Sequence, residues 1–312
     1  SKASIARSFC TRLARVGMSG LIVALPYHMQ RTPPGFGSGA LAITADPAHL
    51  RQFLRQAVMD VRAAVDWLAQ QPEVDSRQIG LVGFSLGAII TTLAAQVEPR
   101  LRAAVPVLGA ADPAGIVEHS VLTYRIRTRQ QQAGVSSDQL RQELAAVDAT
   151  NYAGHNPNVH IYMINAAHDS VIPGALVRAT HQALGEPALQ WLNAGHYTTF
   201  ANRGAVFDEV LRFLQATFGP NPDQFRPHPV GAINLKVGVL YGAREGLAPA
   251  ALWELAPLDR HQKLALDFGW VGDNAWAGLS GRVLEHFSVG VGTPLFQGGL
   301  QGQVYGMVHV TF

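Results

Sequence analysis

A single cysteine, Cys10, stands among 312 residues, so no internal disulfide can form and paired-cysteine zinc or redox motifs are excluded. Charge is also scarce. Only 15% of residues are Asp, Glu, Lys or Arg, and the formal net charge is +2. Because the basic residues are scattered, as in Tyr124-Arg-Ile-Arg-Thr-Arg129, no nucleic-acid partner is expected. No apolar run approaches the roughly 20 residues of a membrane-spanning helix. Acidic residues such as Asp60 and Glu143 lack metal-ligand spacing, and no Gly-rich phosphate cradle occurs, so no metal and no organic cofactor are expected. The first residues, Ser1-Lys-Ala-Ser-Ile-Ala-Arg-Ser-Phe9, hold neither an initiator Met nor a signal-type apolar core, so any leader is expected to be removed or absent. The compartment is left unassigned. What remains is 48% apolar, enough for one large core or two smaller ones.

That apolar content is periodic. Ile5, Phe9, Leu13 and Val16 recur at helical spacing, with Cys10 on the same apolar side; Gly17 and Gly20 break the pattern, and the run Leu21-Ile-Val-Ala-Leu25 predicts a buried strand. A loop rich in Gly and Pro follows from Pro26 to Pro47, and then one face of a long helix from Leu50 to Leu68. Strand-like segments at 79–82, 101–108, 160–164 and 188–192 alternate with helical ones at 88–95, 175–184 and 206–218. This alternation predicts an α/β fold, a mostly parallel sheet with helices on both faces. Between the strands near Val107 and Ile161 lies an insertion of about 45 residues with a capping-box start at Ser136-Ser-Asp-Gln139, read as a helical cap over about 111–156.

The composition changes near Pro220. Pro220, Pro222, Pro227 and Pro229 form a linker, and helical periodicity gives way to period-two alternation in Ile233–Tyr241, Leu264–Trp270 and Val304–Phe312. The expected domains are therefore residues 1–219 and a linker plus β-rich segment over 220–312. That tail is expected to pack on itself or on a neighbour, and is a candidate surface for homo-oligomer assembly. Its last strand, ending in Phe312, resembles the closing strand of an outer-membrane barrel. About five strands are too few to close one, so membrane attachment is not expected.

Chemistry points to three residues. In Gly83-Phe84-Ser85-Leu86-Gly87 a strand, a Gly-x-Ser-x-Gly turn and a helix make a nucleophile elbow, which pushes the serine out of the backbone. Asp169 and His196 follow in the order serine, acid, histidine, each just after a strand. Acyl-bond hydrolysis needs a nucleophile, a base for its proton, and a group that orients and charge-stabilises the base. Ser85, His196 and Asp169 supply these types. The backbone N–H of Leu86, at the start of the elbow helix, is an expected oxyanion donor. His168 reads as a solvated loop residue. Tyr27 and His28, at the carboxyl end of the predicted strand 21–25, are candidates for the substrate pocket, with a packed loop as the alternative.

The stretch Val74-Asp-Ser-Arg-Gln-Ile-Gly-Leu-Val-Gly-Phe-Ser-Leu-Gly-Ala88, with Ala167-His-Asp-Ser-Val-Ile-Pro173, resembles the α/β-hydrolase superfamily, in particular its serine esterase and dienelactone-hydrolase-like branch, over about residues 1–218. The resemblance implies Ser85 as nucleophile, Asp169 as acid and His196 as base. Dienelactone hydrolases carry Cys at the elbow, so Ser85 favours ester chemistry on a small-molecule ester. In that superfamily a strand ending in a His-Gly type loop precedes the first helix and gives a second oxyanion N–H. This chain begins in what reads as that helix, so the N-terminal strands are expected to be lacking. The loop after Tyr27 and the Gly298-Gly299 turn are substitute candidates. The competing expectation is a catalytically inactive hydrolase-like scaffold assembled through its β-rich tail.

Overall fold

The computed structural model describes residues 2–231, 233–242, 246–255, 264–284, 286–295 and 302–311. The chain divides into two compact units that do not follow chain order: residues 1–165, 171–190 and 207–227 form the first, and 166–170, 191–206 and 228–312 the second.

In the first unit, helix α1 (Lys2–Arg15) is followed by α2 (Pro47–Ala69), strand β1 (Ile79–Phe84), α3 (Leu86–Val97) and β2 (Leu101–Val107). Helix α2 starts where the local chemistry requires. The Asp46 carboxylate accepts from the Ala48 N–H at 2.9 Å, and Pro47 occupies the first helical turn, where a missing N–H costs nothing. Its face of Leu50, Phe53, Leu54, Ala57, Val58, Val61 and Val65 is buried. β2 is apolar along nearly its whole length, with Ala103, Ala104, Val105 and Val107 fully buried, as expected of an interior parallel strand. With β3 (His160–Ala166), α7 (Gly174–Ala183) and β4 (Ala188–Leu192), the sheet order is β1-β2-β3-β4. β1 pairs with β2 and β2 with β3 in parallel.

The expected insertion is helical: α4 (Pro113–His119), α5 (Tyr124–Gln132) and α6 (Ser137–Leu144). Its capping box is present, with the Gln139 N–H donating to Ser136 Oγ and the Ser136 N–H to Gln139 Oε1. Arg127, one of the scattered basic residues of segment 124–129, donates to the carbonyls of Val117 and Ser120 at the end of α4. At the end of α3, Glu98 is fully buried. Burial alone would raise its carboxyl pKa, but two guanidinium bonds from Arg100, at 2.6 and 2.7 Å, hold it below the usual carboxylate range.

One expectation fails in this unit. Leu21–Leu25 is not a strand, and Leu21 and Ile22 are exposed. No strand among the described residues pairs with it. An apolar run becomes a buried strand only when a neighbour takes up its backbone hydrogen bonds. Cys10, placed on the apolar side of α1, is half-buried.

The second unit contains β5 (Ile233–Gly242), β6 (Gly246–Leu255), β7 (Leu264–Val271), β8 (Asn274–Leu284), β9 (Phe287–Pro294) and β10 (Gln303–Thr311). They form a closed antiparallel barrel in the order β10-β5-β6-β7-β8-β9. The expectation of about five strands, too few to close, is corrected: six strands are present among the described residues and they close. Small residues make this tight closure possible. A Cβ on Gly292 would lie 2.6 Å from the Trp276 indole, and one on Gly290 2.8 Å from Tyr305, so β9 gives its lumen space to two large rings. Trp276 and Tyr305 meet edge-on at 5.7 Å within an apolar cluster with Leu240, Leu252, Val271 and Met307. The rest of the lumen is ionic. Lys236 Nζ lies 2.5 Å from Glu254 Oε2 and 3.1 Å from Asp267 Oδ1, Arg282 donates to Glu254, and Tyr305 donates to Asp267 at 2.7 Å. His309 sits between Ser288 and Thr311.

Candidate active site

Ser85 stands between β1 and α3 with φ 54° and ψ −117°, a strained conformation for a residue with a side chain. Three backbone bonds hold it there. Its N–H donates to the Val107 carbonyl at 2.9 Å, and its carbonyl accepts from Ala88 and Ile89. The turn is sharp because the strand and the helix nearly touch. A Cβ on Gly83 would fall 2.1 Å from the Gly87 carbonyl oxygen and 2.4 Å from Thr91 Oγ1, whereas a Cβ on Gly87 would meet nothing within 4 Å. Of the two motif glycines, Gly83 is therefore the one required by space. Gly83→Ala is expected to cost about 3 kcal/mol or more, because the crowding atoms are backbone. An unchanged urea midpoint would contradict this. The N–H groups of Leu86 and Gly87 open α3, where no carbonyl of the preceding turn is available to them.

Asp169 and His196 lie together in the second unit. His196 Nδ1–H donates to Asp169 Oδ2 at 2.8 Å, and the side chains are 4% and 1% exposed for His196 and Asp169. A proton fixed on Nδ1 makes Nε2 the basic nitrogen. Main-chain bonds hold the Asp169 loop: the Ala167 N–H donates to the Leu192 carbonyl and the His168 N–H to the Ala194 carbonyl. The histidine turn is pinned. The Gly195 N–H donates to Thr198 Oγ1 and the Thr199 hydroxyl donates to the Gly195 carbonyl, both at 2.9 Å, at the start of α8 (Thr198–Ala201). Tyr197 and Phe200 contact the His196 ring edge-on.

Behind this pair lies a chain of contacts that sequence reasoning missed. His168 is not a solvated loop residue. It is half-buried, its Nε2–H donates to Asn193 Oδ1 at 2.8 Å, and Arg282 Nη1 approaches its Nδ1 at 3.4 Å. Asn193 Nδ2 in turn donates to Glu254 Oε1 at 3.2 Å. The loops that carry Asp169 and His196 are thus tied into the ionic lumen of the barrel. A further tie joins Asn202, at the end of α8, to both backbone groups of Ile233, the first residue of β5.

Tyr27 and His28 belong to the first unit. Tyr27 stacks on His49 at 5.5 Å and on Phe53 at 6.3 Å, and His28 Nδ1 lies 2.8 Å from the Pro26 carbonyl. Tyr27 and Met29 both take positive φ, at 62° and 53°. Their loop packs on α2. The Gly298-Gly299 turn lies outside the described residues.

A family model described as X-Pro dipeptidyl-peptidase (S15 family) matches residues 46–218. No curated protein matches. Among solved structures, the chain is similar to an acetyl xylan esterase from Paenibacillus sp. R4 (23% identity, 59% of each chain covered, TM-score 0.46). It is also similar to acetyl xylan esterase 1 from Thermoanaerobacterium sp. JW/SL YS485 (19% identity, 56% of each chain, TM-score 0.45). A third is a putative dipeptidyl aminopeptidase IV from Bacteroides ovatus (18% identity, 52% of this chain and 22% of that one, TM-score 0.44). The chain thus spans less than two thirds of the length of each of these three. With more than half of its residues inside the family match, and an elbow, sheet and helical insertion of the expected kind within it, the chain belongs to the X-Pro dipeptidyl-peptidase (S15) family, hydrolases of the α/β-hydrolase superfamily.

Proposed function

We propose that this hydrolase cleaves carboxylic esters through an acyl-enzyme on Ser85, with His196 as general base and acid and Asp169 as its orienting carboxylate. The observation that carries the reading is the buried 2.8 Å bond between His196 and Asp169, on loops in the chain order that an elbow serine requires. Ser85 Oγ attacks the ester carbonyl carbon, and its proton passes to His196 Nε2. The Leu86 N–H stabilises the oxyanion, and the imidazolium returns the proton to the departing alkoxide. Water then enters by the same route, releasing the acid. Asp169 offsets the positive charge that appears on the ring in both halves. A catalytically silent scaffold is not favoured by membership of a hydrolase family.

Peptide amides are the second reading, supported by the name of the matching family. Kinetics on p-nitrophenyl butyrate and on Ala-Pro-p-nitroanilide separate the two. We expect kcat/KM on the ester to exceed that on the anilide by at least about a hundredfold; the reverse order would replace the esterase with a peptidase. In either case Asp169→Asn should lower kcat by about ten-thousand-fold, because the wrong imidazole tautomer is then held. Full activity in that variant would remove Asp169 from the triad.

A further inference from the structure

We infer that the barrel β5–β10 is seated in the hydrocarbon of a lipid bilayer. Ordinary small barrels show polar side chains to water; here the outward face is apolar, while part of the lumen is ionic. β5 turns Leu235, Val237, Val239 and Tyr241 outward while Asn234 and Lys236 are fully buried in the lumen. β7 alternates in the same way, with Leu264, Leu266, Phe268 and Trp270 exposed and Asp267 buried. The other four strands repeat the pattern: among their described outward positions there is no Asp, Glu, Lys or Arg. The strand charges Lys236, Arg282, Glu254 and Asp267 all point inward, two of each sign, and bond one another.

The shape of this surface identifies its occupant. A protein partner, or a second copy, covers one side of a barrel and leaves the remainder to water. The apolar surface here runs round all six strands of a closed barrel, so it matches a surrounding medium. Strand lengths of 8 to 11 residues suit tilted strands crossing a bilayer, which needs about 9 to 11. Tyr241 and Trp270, each 61% exposed, occupy the next-to-last positions of β5 and β7, where interfacial aromatics are found. Because Trp276, Tyr305 and the ion cluster fill the lumen, the barrel is an anchor with no channel.

The test uses the full chain and phosphatidylcholine vesicles, which carry no net charge to attract it. We expect the chain to float with the vesicles on a density gradient. Phosphatidylcholine with brominated acyl chains should quench its tryptophan emission, and Trp270→Phe should reduce that quenching. Leu266→Arg on β7 and Val308→Arg on β10 lie on opposite sides of the six-strand ring, and each alone should cut the floated fraction at least tenfold while the circular dichroism stays unchanged. Loss of flotation in only one of them would indicate a one-sided contact and overturn the proposal. So would a wild-type chain that stays in the dense fraction as a discrete monomer or dimer. The bromine quenching is read on the wild type and decides the matter even if an arginine variant fails to fold.

Discussion

Replacing Ser85 by Ala should lower kcat/KM for p-nitrophenyl esters by about ten-thousand-fold or more and abolish labelling by a fluorophosphonate probe. The expectation is large because no other group in the proposed mechanism can form the acyl-enzyme. Without it, His196 and Leu86 can only assist water, and residual catalysis of that kind is small in serine hydrolases. The variant should fold normally. The Ser85 conformation is fixed by main-chain bonds to Val107, Ala88 and Ile89, which alanine retains, and alanine tolerates the same positive φ about as well as serine. Ester turnover equal in wild type and variant would favour the scaffold reading over the enzyme.

Lys236→Met should destabilise the second unit by about 3 to 5 kcal/mol. The lysine is completely buried and holds two carboxylates, Glu254 at 2.5 Å and Asp267 at 3.1 Å, with Ser280 Oγ as a third partner at 3.1 Å. Methionine fills much of the volume but leaves two anions facing each other without their shared cation. Removing one partner of a buried pair is more costly than removing all of it, because the remaining charge has lost its water and has no replacement. Chemical denaturation followed by tryptophan emission, to which Trp276 in the same lumen contributes, measures the loss. A shift below about 1 kcal/mol would mean that water or rearranged neighbours already screen the cluster.

Much of the first unit was legible because its signals are local. Asp46-Pro47 starts α2, the capping box starts α6, and Gly83 leaves room for the elbow; each acts within a few residues of where it is read. The order of Ser85, Asp169 and His196 was equally visible, and the Asp169–His196 bond is present. Segment 21–25 misled because an apolar run carries no information about whether a pairing strand is available. The barrel was undercounted because β6, β8 and β9 are rich in Ala, Gly and Pro, as in Gly246-Leu-Ala-Pro-Ala-Ala251, and small residues blur alternation while serving closure. The chain His168, Asn193, Glu254, Arg282 was invisible for a different reason. Its members are 25, 61 and 114 residues apart along the bonds that join them, and nothing in any one neighbourhood announces the others.

Because Asn193 reaches Glu254 and His168 reaches Arg282, the proposed triad would make turnover a built-in gauge of the barrel's integrity. Heat, solvent or drift in the lumen sequence that loosens those ions would register as slowed catalysis before the fold is lost. Selection for rate alone would then also preserve the six strands.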